Sequence, residues 1–148
     1  MLISTLKSIF ERDLYRVKEE ISLYKRDQNL WVTENEISNA AGNLCLHLIG
    51  NLRTYIGKEI GKVNYVRHRD LEFSSNDIPR LELIKQIEET LSIVSNSLDK
   101  LNDQDLYQKY PLIVFDEEMS MGYFLVHLTT HLSYHLGQIN YHRRILDK

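Results

Sequence analysis

The chain has 148 residues, of which 43% are hydrophobic and 26% charged, and its net charge is −3. This balance is typical of one globular domain spanning residues 1–148, and it disfavours nucleic acid as a partner, because phosphate binding requires a broad cationic surface. No apolar run approaches the roughly 20 residues of a membrane span, so we expect no membrane insertion. A lone cysteine, Cys45, excludes an intramolecular disulfide and a cysteine-rich zinc site. These features predict a cytoplasmic protein.

The start of the chain predicts a long helix. Only two prolines and six glycines interrupt the sequence, which favours long helices over short strands. From Leu2 to about Tyr24, apolar residues recur at three- and four-residue steps, the spacing of one buried helix face. We therefore expect an all-α fold that begins with an amphipathic helix.

The second predicted helix has two polar residues on its buried face. Thr33, followed by Glu36 three residues later, predicts a capping box at its start, and the apolar pattern continues to about Ile60. His47 and Asn51 occupy positions on this stripe where aliphatic residues are expected. A polar residue on a buried face requires a partner, so these two positions indicate a functional site.

A long connection separates the second helix from the third. Residues 62–76 show no helical period, and a link of this length is usually either functional or disordered. Its basic cluster, residues 67–69, could bind a substrate carboxylate, but a solvated loop is favoured. The third helix is predicted to begin near Asp77 and Pro79 and has an uninterrupted apolar seam as far as Leu101. Together with the last helix, this gives a four-helix bundle with a long helix 2 to helix 3 connection.

The last helix contains four of the six histidines. It is preceded by a β-prone tract around Pro111 that allows a short hairpin, and Ser120 predicts its N-cap. The helix should then run from about Met121 to Leu146. At about 100° per residue, one face contains five polar residues: His127, His131, His135, Gln138 and His142.

Several imidazoles beside a core indicate a metal site. Two histidines four residues apart on a helix can both reach one ion, and His47 is the natural third ligand because it lies in the seam of another helix. Three neutral imidazoles leave a fourth position for water or a substrate thiolate. The alternative is that the histidines are hydrogen-bonded packing residues without metal.

Other metal and hydrolytic chemistries find no support in the sequence. No histidine follows a glutamate or aspartate by three residues, so the Glu-x-x-His pairs of di-iron bundles are absent. Leu132 occupies the position of the general base of an HExxH peptidase. Neither a P-loop nor a GxGxxG or GxSxG motif is present.

Three segments together resemble the DinB-like superfamily of small four-helix bundles, and their order and spacing span nearly the whole chain. They are residues 43–53 (NLCLHLIGNLR), 67–73 (RHRDLEF) and 131–139 (HLSYHLGQI), and the His-x-x-x-His-x-Gly-Gln element of the last is the most specific. The resemblance implies that His47, His131 and His135 form a metal triad, with His127 outside it. It also implies zinc or nickel as the metal and a homodimer.

Characterised relatives in that superfamily include bacillithiol S-transferases and mycothiol-dependent maleylpyruvate isomerase. The leading hypothesis is therefore a metal-dependent transferase or hydrolase that acts on a small molecule, with a low-molecular-weight thiol as a candidate substrate. The alternative hypothesis is a non-catalytic metal-binding or stress-related bundle protein. A shared fold does not by itself decide between them.

Overall fold

The computed structural model describes residues 1–148 and contains helices but no strands. The all-α prediction is therefore confirmed. Five α-helices are present: α1 (Leu2–Leu23), α2 (Ala41–Leu52), α3 (Arg69–Ser74), α4 (Arg80–Leu98) and α5 (Met121–Leu146). Two short 3-10 helices (Asp27–Trp31 and Asp103–Tyr107) and a π-helical turn (Arg53–Lys58) complete the secondary structure.

The four longer helices form a bundle in which α1 and α2 are diagonal to each other. Helix α1 packs against α4 and α5, and α2 packs against the same two helices from the opposite side. The apolar face of α1 is buried at Leu6, Phe10, Leu14, Val17 and Ile21, as its three- and four-residue steps predict. One continuous cluster of 27 buried apolar side chains forms the core. None of the helices is long and apolar enough to cross a membrane.

Two helix boundaries agree closely with the sequence prediction. Helix α5 runs from Met121 to Leu146, and the hydroxyl oxygen of Ser120 caps it by accepting a hydrogen bond from the backbone N–H of Tyr123 at 3.0 Å. Helix α1 begins at Leu2 and ends at Leu23. These boundaries are predictable because capping residues and apolar spacing are local signals.

The predicted start of the second helix is wrong. Residues 33–40 form no helix: Asn35 has a positive φ of 53°, and Glu34 and Ile37 form an isolated antiparallel bridge. Helix α2 starts only at Ala41, so Thr33 and Glu36 make no capping box. A left-handed residue between the two capping positions is incompatible with a helical turn, and this explains the failure.

The hairpin allowed before the last helix is also not formed. A single antiparallel bridge joins Lys109 to Ser120, and no ladder of paired residues extends it. The segment between them is instead fixed by Tyr110, whose buried ring donates a hydroxyl hydrogen bond of 2.6 Å to the carbonyl of Tyr55. Pro111 follows directly and has no N–H to extend a ladder.

Candidate metal centre

Three histidines from two helices converge at the face where α2 meets α5. The Nε2 atoms of His47 and His131 are 3.1 Å apart, and the ring centroids of His131 and His135 are separated by 4.6 Å. All three side chains offer a ligand nitrogen within 4.8 Å of the others. His131 and His135 stand one turn apart on α5, so the i, i+4 spacing places both opposite His47.

A carboxylate contacts the ring nitrogen of His47 that lies away from His131. Its Nδ1 lies 3.0 Å from Oε1 of Glu72, and both side chains are more than nine-tenths buried. An ionised carboxylate can only accept a hydrogen bond, so Nδ1 of His47 must be the protonated nitrogen. The lone pair on Nε2 therefore points toward His131 and His135, which is the tautomer that metal ligation requires.

Glu72 is itself fixed by an arginine. Arg67 donates through Nε to Oε2 of Glu72 at 2.8 Å and through Nη2 to Oε1 at 3.0 Å. Burial opposes ionisation of Glu72, but the hydrogen bonds from His47 and Arg67 outweigh it and lower the pKa of the carboxyl group. Glu72 is thus a buried, ionised acceptor.

The close approach of Glu72 to α2 depends on Gly50. A Cβ atom at this position would overlap Oε2 of Glu72 and lie 3.3 Å from Nε of Arg67. Because Gly50 has no side chain, the carboxylate can lie against the backbone of α2, one turn from His47. The short helix α3 supplies Glu72 from the long connection between α2 and α4.

The other two histidines are oriented differently. Nδ1 of His135 donates a 2.7 Å hydrogen bond to the side-chain oxygen of Gln138, which leaves its Nε2 free. Nδ1 of His131 is buried and has no hydrogen-bond partner. Burial, together with the neighbouring His135 and His47, lowers the pKa of His131 to about 4. The imidazole is therefore neutral at physiological pH, the form that binds metal.

The geometry of the three nitrogens fits a divalent ion. Tetrahedral Zn–N bonds place two ligand nitrogens about 3.3 Å apart, close to the 3.1 Å between Nε2 of His47 and Nε2 of His131. Three neutral imidazoles are accepted by zinc, nickel and other borderline divalent metals. Without metal, the same distance allows Nε2–H of His131 to donate to Nε2 of His47. The cluster could therefore hold a metal ion, and the metal would replace one proton.

A cavity of about 190 Å³ adjoins the cluster and shares His47 and His131 with it. Its walls also include Asn51, Tyr55 and Phe115. A larger groove of about 770 Å³ lies between α1 and α5, but it is widely open to solvent and none of the three histidines lines it. The smaller cavity is the better candidate for a ligand site because it reaches the ligand nitrogens.

The remaining histidines lie outside the cluster. His127 packs against the rings of Phe115 and Phe124 and lines the 190 Å³ cavity. His142 is buried away from the site, where Tyr24 donates to its Nδ1 and its Nε2–H donates to the carbonyl of Val32, both at 2.7 Å. The helical face predicted for five polar residues is therefore divided among three different environments.

Sequence patterns assign no role in the site to Glu72, and they favour a solvated loop for the basic cluster that contains Arg67. In the structure Arg67 is half-buried and Glu72 is 5% exposed. Gln138, from the polar face of the last helix, contacts His135, whereas Asn51, from the buried stripe of the second helix, forms no hydrogen bond with any of the three histidines. The available signal for Glu72 was its place in residues 67–73, one of the three segments that resemble the DinB-like superfamily.

Comparison with known proteins assigns the chain to a family. Residues 2–148 match the sequence profile of DUF1572, which is described as a protein of unknown function. The chain belongs to the DUF1572 family. The match covers α1 to α5, including all three clustered histidines and Glu72, but the description of DUF1572 names no reaction. No curated protein matches the chain.

Proposed function

We propose that this DUF1572 protein is a divalent-metal-dependent enzyme of the DinB-like type that acts on a small molecule. His47, His131 and His135 are the proposed ligands, and zinc or nickel is the proposed metal. The observation that supports this best is the approach of the three ligand nitrogens to within 4.8 Å of one another. The resemblance of residues 43–53, 67–73 and 131–139 to DinB-like proteins supports it independently.

The side chains around the cluster have distinct roles in this proposal. Glu72 fixes the tautomer of His47, and Gln138 does the same for His135. When bound, a divalent ion with three neutral ligands would supply a Lewis acid that polarises a substrate or stabilises a thiolate. The proposed reaction is transfer of a low-molecular-weight thiol, with hydrolysis as the second class to test.

The ligand set favours catalysis over a purely structural metal. Structural zinc sites have four protein ligands, whereas this cluster contains three. Cys45 does not supply the fourth, because it is fully buried in the core and burial raises the pKa of its thiol to about 12. The adjoining cavity leaves room for a small molecule beside His47 and His131.

The test is turnover by protein loaded with zinc or nickel. Panels of low-molecular-weight thiols with electrophiles, and of simple esters and amides, should give turnover that disappears on chelation and in His131→Ala. The matched control is His68→Ala, which removes an exposed imidazole outside the cluster. Metal-loaded protein that turns over no substrate in either class would contradict the enzyme proposal and leave a non-catalytic metal-binding bundle.

Three further expectations remain predictions. The chain is expected to form one domain and to be cytoplasmic. It is also expected to form a homodimer, as the resemblance to the DinB-like superfamily implies. Sedimentation velocity checks the homodimer directly, because the dimer has twice the mass of one chain. A single species with the mass of one chain would contradict it.

A further inference from the structure

The charged residues that line the 190 Å³ cavity beside the histidines are both arginines. Two arginines, Arg67 and Arg69, line it, and neither aspartate nor glutamate does. Its volume of about 190 Å³ accommodates a small molecule. A site whose net charge is positive attracts ligands of the opposite sign.

The two arginines differ in whether their charge is already neutralised. Arg67 forms two hydrogen bonds with Glu72, so its charge is compensated within the protein. The guanidinium group of Arg69 forms no ion pair or hydrogen bond with another residue and lies 5.3 Å from the ring centroid of Phe73. Stacking orients a guanidinium group while leaving its N–H groups free for a carboxylate.

Phe73 places Arg69 close to the histidine cluster. The ring of Phe73 packs against the Arg69 guanidinium group, and its centroid is 5.0 Å from that of His47. Arg69 and a proposed metal ligand therefore contact the same aromatic ring. A molecule bound at the cluster can reach the guanidinium group without being large.

Asn51 provides a second, independent indication of a ligand. Its Oδ1 is buried without any hydrogen-bond partner, the residue is 7% exposed, and it lines the same cavity. An unpartnered buried polar atom costs about 1–3 kcal/mol, so an amide facing a cavity indicates a missing donor. Across the cavity, Val114, Phe115 and Phe124 supply an apolar wall.

We propose that this cavity binds a small organic carboxylate, with its carboxylate group on Arg69, a hydrogen-bond donor on Asn51 and its apolar part against Phe115. One unpaired guanidinium group matches the single negative charge of a carboxylate, with which it forms two parallel hydrogen bonds, whereas a phosphate monoester carries nearly two charges. The proposal rests on the proposed function, since it specifies the class of substrate that reaches the metal centre.

The test compares acids with neutral alcohols of matched length. Zinc-loaded, ¹⁵N-labelled protein is titrated with mercaptoacetate and 3-mercaptopropionate, and then with 2-mercaptoethanol and 3-mercapto-1-propanol. Binding is followed by the chemical shifts of the Asn51 side-chain amide and of Nε–H of Arg69. The zinc content of each sample is measured separately.

The acids should bind about tenfold tighter than the alcohols, because a charge-assisted pair of hydrogen bonds with Arg69 contributes about that much to affinity. Arg69→Gln should abolish this preference, and Arg69→Lys should retain part of it. The matched control is Arg144→Gln, because Arg144 also stacks on an aromatic ring, Tyr141, but does not line the cavity.

Equal binding of acids and alcohols, or a preference unchanged in Arg69→Gln, would overturn the carboxylate inference. If this occurs in protein that contains zinc, the metal centre is retained and only the substrate class is wrong. If the protein contains no zinc yet still prefers the acids, the carboxylate site is retained and the proposed metal-dependent function fails.

Discussion

Oε1 of Glu72 lies 3.0 Å from Nδ1 of His47, and both residues are almost completely buried although 25 positions separate them in the chain. This contact determines which nitrogen of His47 faces His131 and His135. It also connects the histidine cluster to the α2–α4 connection, because Glu72 comes from the short helix α3. The side chain that orients His47 is thus held in position by the fold itself.

Glu72→Gln should weaken metal binding while the three histidines remain in place. A neutral amide is a poorer acceptor for Nδ1–H of His47 and no longer compensates Arg67, so zinc affinity should fall by about 10- to 100-fold. Isothermal titration with a competing chelator measures this change. The control Glu89→Gln removes an exposed carboxylate that also pairs with an arginine, Arg53, and should leave the affinity unchanged. Equal affinities for the Glu72→Gln variant and the wild type would refute this role.

Gly50→Ala should reproduce part of the Glu72 effect. The added methyl group occupies the position of the Glu72 carboxylate, which must then move away from His47 and Arg67. Helix propensity alone would stabilise the variant by up to about 1 kcal/mol. Weaker zinc binding would therefore not come from a loss of helix stability and would indicate displacement of Glu72. Gly137→Ala is the control, because nothing lies within 4 Å of a Cβ there. If both variants bind zinc as tightly as wild type, the close approach of Glu72 is unimportant.

The stability of the metal-free protein should decrease as the pH falls below about 6.5. Burial lowers the pKa of His142 from its ordinary value of 6.5, so in this range the unfolded chain binds a proton that the folded protein excludes. His131 and His135, whose pKa values are also lowered, contribute in the same direction. Urea unfolding between pH 7.5 and 5 measures the slope.

Replacing His142 should reduce the slope of the free energy of unfolding against pH by up to the equivalent of one bound proton. In His142→Gln, the side chain that contacts Tyr24 and Val32 no longer titrates. The control His68→Gln removes an exposed imidazole, and this variant should keep the wild-type slope. A slope that is unchanged in His142→Gln would show that this residue is not excluded from protonation in the fold.

Ser120→Ala should destabilise the protein through the start of α5. The variant loses the hydrogen bond from the backbone N–H of Tyr123 to the serine hydroxyl, at a cost of about 0.5–2 kcal/mol. Ser133→Ala is the control, because Ser133 is exposed within the same helix and alanine is the better helix former. Urea midpoints that fall by the same amount in both variants would argue against a capping role.

The sequence was sufficient for the parts of the fold that depend on local patterns. The apolar steps of α1, the Ser120 cap and the i, i+4 pair His131 and His135 are all short-range features, and each was located correctly. The Thr33-x-x-Glu36 pattern is equally local, but it misled because Asn35 adopts a positive φ. A capping pattern does not determine the backbone between its two residues.

The surroundings of the cluster were beyond the reach of sequence patterns. Glu72 contacts His47 only because residues 67–73 fold back over α2, and no periodicity encodes that return. The exposed Arg69 and the paired Arg67 look alike in sequence, although their environments differ. His142 shares a helical face with His135 but forms a hydrogen bond with Tyr24. The two histidines differ because different elements pack against the two parts of α5.

Metal stoichiometry tests the central claim most directly. Purified protein incubated with zinc or nickel, freed of excess ion and analysed by inductively coupled plasma mass spectrometry should contain one ion per chain. His47→Ala and His131→Ala should each contain almost none, and His68→Ala should match wild type. A wild-type protein without bound metal, or variants that retain the full complement, would contradict a three-histidine metal centre.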